Sequence, residues 1–369
     1  MEFTIHNQIL TAVFIVAAIM GAVVNKTNFC TMGAVSDLVN MGDAGRLRAW
    51  LLAMAVAMLG VAALTGAGLI NIGASTFPPY RTPNFAWLRY LLGGLMFGIG
   101  MTLASGCGNK MLVRIGGGNF KSLVVLVIAS LCAYLMLWTD FYGEVFNSWV
   151  VATTVDLGKS GLQSQAISEF FGSGSGAQAA TGAVIGLALV AFAFASKDFR
   201  ANFDHILAGI VVGLAVVIGW YLTAGALGAE WKEWAEMADA VPSRVEAQSF
   251  TFISPMGDSV RYLKNPAEIA NINFGIVALS GVIVGSLLYS LIGGHFRFEW
   301  FASGGDFLNH AIGAVLMGIG GVLAMGCTFG QAITGVSTLA MGSFLTLFAI
   351  AAGAAATMKI QYWFMMREG

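Results

Sequence analysis

The run LLGGLMFGIGMTLASGC (Leu91–Cys107) returns 220 residues later as AIGAVLMGIGGVLAMGC (Ala311–Cys327). Eight of the seventeen aligned positions are identical: Gly93/Gly313, Gly98/Gly318, Ile99/Ile319, Gly100/Gly320, Leu103/Leu323, Ala104/Ala324, Gly106/Gly326 and Cys107/Cys327. Glycine and alanine produce chance matches in a chain with 48 glycines. A shared terminal Gly-Cys is harder to obtain by chance. Each copy is apolar over almost the length of a bilayer-spanning helix, then gives way to small residues. A weaker echo appears at a shift of 192: Gly21/Gly213, Val24/Val216, Thr31/Thr223, Gly33/Gly225 and Ala34/Ala226, with Cys30 opposite Leu222.

Composition fits an apolar repeat. Of 369 residues, 57% are hydrophobic and 10% charged, and mean hydropathy is +0.79. Soluble domains carry roughly 25% charged residues, so a water-facing surface cannot be built from this chain. Disorder is excluded by the same numbers. A net charge of −1, with no basic run longer than two residues, argues against a nucleic-acid partner. Nine stretches are long and apolar enough to cross a bilayer: 8–24, 49–70, 86–104, 120–138, 178–196, 204–222, 272–292, 309–325 and 339–358. Met1–Gln8 has no positively charged segment of the secretory type, so the first stretch is expected to be retained. The expected fold is an all-α polytopic membrane protein. It has about nine transmembrane helices, with short re-entrant or broken helices, in one membrane domain over 1–369.

With nine spans, eleven lysines and arginines fall on one side: Lys26, Arg46, Arg48, Lys110, Arg114, Lys121, Lys197, Arg200, Arg297, Lys359 and Arg367. Seven fall on the other: Arg81, Arg89, Lys159, Lys232, Arg244, Arg261 and Lys264. Lysine and arginine concentrate in short cytoplasmic loops, which puts the N-terminus outside and the C-terminus in the cytoplasm. Both repeat pairs then run in opposite directions. The chain divides into inverted halves, approximately 8–138 and 204–358, with a connector helix at 178–196. Inverted repeats of this kind build transporters, with the site at the repeat interface. The polar segments 139–177 and 223–271 are expected outside, away from the core. Gly172–Gly176 reads as a flexible linker. Trp231 and Trp234 suggest an interfacial surface helix.

Chemistry concentrates at cysteines. Cys30, Cys107 and Cys327 each follow an apolar run and sit among glycines: Asn28-Phe-Cys30-Thr-Met-Gly33, Gly106-Cys107-Gly-Asn-Lys110 and Gly326-Cys327-Thr-Phe-Gly330. Such stretches break helices, and broken backbone at membrane depth is tolerated when buried in protein or lining a wet path. Three half-helices, each presenting one thiol, are expected. For each cysteine the alternative is close helix packing. That is the expected role of Cys132, which lies in a regular span interior. No metal site is expected, because zinc wants four N or S ligands and no Cys-x-x-Cys or neighbouring His exists. A structural disulfide is disfavoured by long spacings. A permeation role fits better, since a neutral S–H can donate to an anion and helix N-termini attract one. Asn109, Lys110, Thr31, Thr328 and Gln331 are the candidate lining residues, Lys110 with Arg114 and Lys121 at the inner mouth. Asp37, Asp43 and Asp306 read as loop charges. No catalytic constellation and no cofactor motif is recoverable.

At these motifs the chain resembles the YeeE/YedE family of bacterial inner-membrane thiosulfate transporters. The resemblance covers about 8–358 and is carried by Asn28-Phe-Cys30-Thr-Met-Gly33, Ser105-Gly-Cys107-Gly-Asn-Lys and Gly326-Cys327-Thr-Phe-Gly330-Gln. It implies one helical domain with pseudo-symmetry, whose loops meet near the centre of an hourglass. It implies that Cys30, Cys107 and Cys327 pass thiosulfate along by S–H hydrogen bonds. It also implies a TusA-like sulfur carrier as a cytoplasmic partner. Some relatives serve selenium metabolism instead, so a selenium or other sulfur compound is the alternative cargo. A membrane thiol oxidoreductase is the alternative of another class, and it would need a redox cysteine pair.

Overall fold

The computed structural model describes residues 4–73, 75–238 and 242–368, so Met1–Phe3 of the amino-terminal expectation lie outside it. The chain is an all-α polytopic membrane protein. Its principal helices are α1 (Ile5–Thr27), α2 (Thr31–Ser36), α3 (Gly45–Gly66), α4 (Trp87–Leu103), α5 (Gly108–Gly116), α6 (Phe120–Trp138), α7 (Ser175–Phe194), α8 (Phe203–Ala224), α9 (Ala226–Glu236), α10 (Ile253–Lys264), α11 (Phe274–Ile292), α12 (Gly304–Leu323) and α13 (Met341–Glu368). Among the described residues, nine helical stretches are long and apolar enough to cross a membrane. They coincide with the nine expected spans. The last is longer than expected, because α13 continues past 358 with exposed Tyr362, Trp363 and Met366.

Helices this apolar cannot be sorted by hydrophobicity alone, since lipid is as apolar as their own side chains. Small residues that allow close backbone approach decide the packing. The crossing of α4 with α12 shows how. A Cβ on Gly100 would lie 2.6 Å from the Gly313 carbonyl oxygen, and one on Gly313 would lie 2.6 Å from that of Gly100. Likewise, a Cβ on Gly93 would lie 2.8 Å from the Gly320 oxygen, and one on Gly320 would lie 2.9 Å from the Gly93 oxygen. Residue 93 meets 320 while 100 meets 313, so the two helices run antiparallel. The contact is also self-complementary, as a two-fold axis would make it. The wider pattern has the same character. Helix α1 packs along α11 and α8 along α3; α4 packs along α13 and α12 along α6; α1 meets α8. Exchanging α1 with α8, α3 with α11, α4 with α12 and α6 with α13 leaves these neighbours unchanged. Helix α7 packs at the edge, against α3.

The loops collect at two ends. At one lie the ion pairs Lys26–Asp204 (3.4 Å) and Lys121–Asp306 (3.0 Å). At the other, Thr76–Phe77 pairs in parallel with Ala247–Gln248, and Asn84–Phe85 pairs antiparallel with Val155–Asp156.

The polar segments depart from expectation. Within 223–271, residues 247–258 are all buried. Phe250, Phe252 and Ile253 lead into α10, which packs against α6. This is a fourth broken element. Leu222, the partner of Cys30 in the 192-residue echo, lies inside α8. Trp231 of α9 is fully buried within the protein, and its indole N–H donates to His6 Nδ1 at 3.0 Å. Within 139–177, Gln165 is fully buried and bridges Tyr90 (3.0 Å) to the Gly342 N–H (3.1 Å). The expected linker is half helix, since Gly174 caps α7 and Ser175 opens it. These segments read as loops because of their polar residues, several of which are bonded by partners far away in sequence, such as Gln165 by Tyr90 and Gly342.

Replacing Gly100 with alanine forces a methyl into the backbone of α12 and is expected to cost about 3 kcal/mol or more. Gly143→Ala meets nothing within 4 Å and is expected to be neutral. Thermal unfolding in detergent, followed by size-exclusion chromatography, compares the two.

Candidate functional site

The site begins with how three helices end. Helix α1 stops with Asn28 at φ 54°, α4 with Ser105 at φ 59° and α12 with Met325 at φ 59°. In each, the next N–H reaches back five residues: Phe29 to Val24, Gly106 to Met101 and Gly326 to Gly321. The left-handed residue itself reaches back three: Asn28 to Asn25, Ser105 to Thr102 and Met325 to Val322. This is the Schellman ending, and it satisfies carbonyls that lipid could not. Glycine is the usual residue at the left-handed position. Ser105 and Met325 hold it at a cost of about 1–2 kcal/mol.

Two residues after each left-handed turn stands a cysteine. Its backbone is extended at Cys30 (φ −156°) and Cys107 (φ −82°, ψ 173°). Each cysteine carbonyl accepts the first bond of a new helix: Ala34 to Cys30 (3.0 Å), Met111 to Cys107 (3.0 Å) and Gln331 to Cys327 (2.8 Å). The cysteines therefore occupy N-cap positions. The sulfurs of Cys30 and Cys327 accept the N–H three residues on, from Gly33 (3.4 Å) and Gly330 (3.5 Å). The three expected half-helices exist, each led by its thiol. A π-helical stretch, Gly330–Gly335, follows Cys327, and another, Asp37–Met41, follows α2.

The three breaks converge. Cys107 lies within electrostatic reach of both Cys30 and Cys327, and its thiol faces Thr328. All four cysteines are free thiols. The three N-cap cysteines are buried, and Cys132 is half-buried on α6 with its Cβ pressed against Gly318.

Around the thiols lie polar atoms that are buried and unpaired. Among the described residues, Thr31 Oγ1, Asn109 Oδ1 and Gln331 Oε1 have no hydrogen-bond partner, and Thr328 Oγ1 has none beyond the Cys107 thiol that faces it. All four residues are at least nine-tenths buried. An unmade bond of this sort costs about 1–3 kcal/mol, so such a cluster needs a reason. A polar occupant at the convergence supplies one. Lys110 points back along the half-helix, its ammonium donating to the Asn28 side chain and lying near both Cys30 and Cys107. Arg114 donates to the Ser105 carbonyl (2.8 Å) instead of standing free at a mouth.

Two curated relatives match nearly the whole chain. Thiosulfate transporter TsuA of Escherichia coli (strain K12) is 25% identical over 336 residues, which is 86% of this chain and 85% of that one. Thiosulfate transporter TsuA of Spirochaeta thermophila is 22% identical over 339 residues, 90% of this chain and 92% of that one. A family model described as Sulphur transport matches residues 26–356. The chain belongs to this sulphur transport (YeeE/YedE) family.

In this member of the family, three residues beside the thiols escape a reading of the sequence. Tyr80 is buried, with its hydroxyl against Gly330 and close to Cys327 and Thr251. Burial pushes its phenol well above the ordinary value, and Cys327 adds to the shift. It stands there as a neutral hydroxyl. Thr251 comes from the fourth broken element, and its hydroxyl presses on Gly330. Arg46 lies against Gly33 and pairs with Asp37, its Nη2 donating to Oδ1 at 2.6 Å. Asp37 is buried and so is no loop charge. Asp258 is a second buried carboxylate, bonded by Trp138 (3.0 Å), Asn273 (3.0 Å) and Arg244 (3.4 Å). The one available signal was Phe250-Thr-Phe-Ile253, an apolar run inside a polar segment.

Ser105→Gly removes the left-handed penalty and Ser105→Val worsens it. The glycine variant is expected to be more stable than the valine variant by about 1–2 kcal/mol, read by thermal unfolding.

Proposed function

We propose that this protein is a transporter, not an enzyme, and that it imports thiosulfate or a similar sulfur oxyanion across the bacterial inner membrane. The route follows three thiols. Tyr80 lies within electrostatic reach of Cys327, Cys107 within reach of both Cys327 and Cys30, and Lys110 within reach of both Cys107 and Cys30. The observation that carries the reading is the set of unpaired buried polar groups where the half-helices converge. The thiols and the threonine hydroxyls are neutral donors that hold an anion without repelling it, while the unpaired amide oxygens of Asn109 and Gln331 are acceptors, suited to a water that accompanies it. The donors are individually weak, which suits a path the anion must also leave. The names of the two relatives supply the cargo.

The transport geometry follows from two inverted halves, 8–138 and 204–358, joined by a connector helix at 178–196. The self-complementary crossing of α4 and α12 and the exchange symmetry of the helix neighbours support this arrangement. Charge bias supports an N-terminus outside and a C-terminus in the cytoplasm. Tyr80 then marks the outer end of the path and Lys110 the inner. A dianion moving inward against the membrane potential costs about 4.6 kcal/mol per 100 mV, which coupling to an ion or consumption inside must offset. A small TusA-like carrier protein that takes the sulfur at the inner end would supply consumption.

Uptake of radiolabelled thiosulfate by cells without another thiosulfate importer tests the route. Folded Cys107→Ala and Cys327→Ala variants are expected to lose about tenfold or more of the rate, and Cys132→Ala to keep it. Normal uptake by the first two overturns the thiol path. Competition by sulfur and selenium oxyanions ranks the cargo. Thiol-reactive mass labelling in cells distinguishes the oxidoreductase alternative, which requires a disulfide among the three. A fluorescent protein fused to the C-terminus is expected to light up from the cytoplasm; exclusion of the tag from that side reverses the orientation.

A further inference from the structure

Off the line of thiols, a cavity of about 560 Å³ opens among the loops at the Tyr80 end. The end of α3, residues 68–73, Arg81, residues 163–169 and the start of α7 form its walls. Three of its lining side chains are at least nine-tenths buried and carry a polar atom without a partner among the described residues: Thr65 Oγ1, Arg81 Nε and Gln178 Nε2. The remaining Arg81 donors fix the guanidinium in place. Nη1 bonds the Ile72 carbonyl and Gln178 Oε1 (2.9 Å), and Nη2 bonds Ser164 Oγ (3.4 Å). Arg81 has no carboxylate within ion-pair distance among the described residues. Glu169, on the rim, is instead bonded by Ser164 Oγ at 3.1 Å. Burial pulls the guanidinium below its ordinary value, and Glu169 opposes the shift. Helix α7 opens into the same space, and its N-cap, Gly174, offers no side chain to the free N–H groups of the first turn.

A buried cation without its own anion, an amide N–H pair with nothing to bond and an uncapped 20-residue helix start all ask for negative charge and acceptor oxygens. The space is too polar to be a lipid cleft and too large to be a packing defect. We propose that this cavity is an external capture site for a small oxyanion, held by Arg81, Gln178, Thr65 and the N-terminus of α7. It rests on the transport reading only for its cargo. Tyr80 precedes Arg81 in sequence and faces Cys327, so one residue separates the cavity from the path. Capture here raises the local anion concentration at the entrance. Glu169 makes the site discriminating, since its carboxylate repels an anion that sits too near the rim.

Initial-rate uptake into proteoliposomes, with sodium thiosulfate and sodium sulfate as probes, measures the effect. Arg81→Gln and Gln178→Leu are expected to raise KM for thiosulfate about tenfold or more while the saturated rate changes little. Glu169→Gln is expected to lower KM. Cysteine variants act on the saturated rate instead, so normal rates in Cys107→Ala beside a raised KM in Arg81→Gln sink the thiol path and keep the capture site. If Arg81→Gln fails to fold, Gln178→Leu and Glu169→Gln decide. An unchanged KM in the folded Gln178→Leu variant, or a raised KM in Glu169→Gln, overturns the proposal.

Discussion

Backbone that stops being helical inside a membrane must find its hydrogen bonds within the protein. That constraint shapes this molecule. Each helix leading to a thiol ends in the same two reverse hydrogen bonds around a left-handed residue, Asn28, Ser105 or Met325. Only after the carbonyls are closed can the chain turn and start a half-helix. The cysteine at the turn is the N-cap of that half-helix, so its position is set by backbone geometry and not by side-chain packing. The glycine crossing of α4 and α12 places two of these endings, the Cys107 and Cys327 turns, on one pair of packed helices. The reciprocal contacts 93–320 and 100–313 leave little freedom to slide.

Much of this was legible in the residues. Lipid-spanning helices announce themselves by length and hydropathy, because solvation by the bilayer is an average property of twenty residues. The 220-residue repeat survives for a different reason: Gly93, Gly100, Gly313 and Gly320 sit where no side chain fits. The cysteine turns were visible because a helix break needs small residues in a fixed order. What stayed hidden depends on long-range pairing. Asp37 and Asp258 look like loop charges until Arg46 and Arg244 are brought against them. Gln165 looks solvent-facing until Tyr90 and Gly342 arrive. The fourth broken element, Phe250 to α10, lies in a segment whose polar composition disguises its burial. Tyr80 and Arg81 fall in a connecting loop, and only the folded chain shows that one faces inward to Cys327 and the other outward to a cavity.

The polar groups fall into two classes that do different things. Asp37, Asp258, Gln165 and Trp231 are fully engaged, and they fix the elements that carry the site. Thr31, Asn109, Thr328 and Gln331 are buried and incompletely engaged, and they cluster at the half-helix starts. A protein could satisfy the second class by replacing them with apolar residues, since a buried pair removed together costs little. Retaining them makes the empty site less stable than it need be. A polar occupant would recover that loss without the scaffold having to close around it.

Charge is arranged to match. Between Tyr80 and Lys110 the lining is neutral, built from thiols, hydroxyls and amides. Full cations stand beyond that stretch: Arg81 before it, and Arg46, Lys110 and Arg114 after it. A cation inside the narrow part would bind a dianion too tightly for it to leave, because attraction between full charges grows steeply as water is excluded. Placed at the ends, the same charges raise local concentration and leave the interior shallow. Arg46 is ion-paired with Asp37, while Lys110 and Arg114 donate to neutral oxygens, the Asn28 side chain and the Ser105 carbonyl. Among the described residues Arg81 has no carboxylate at ion-pair distance, with Glu169 within electrostatic reach on the cavity rim.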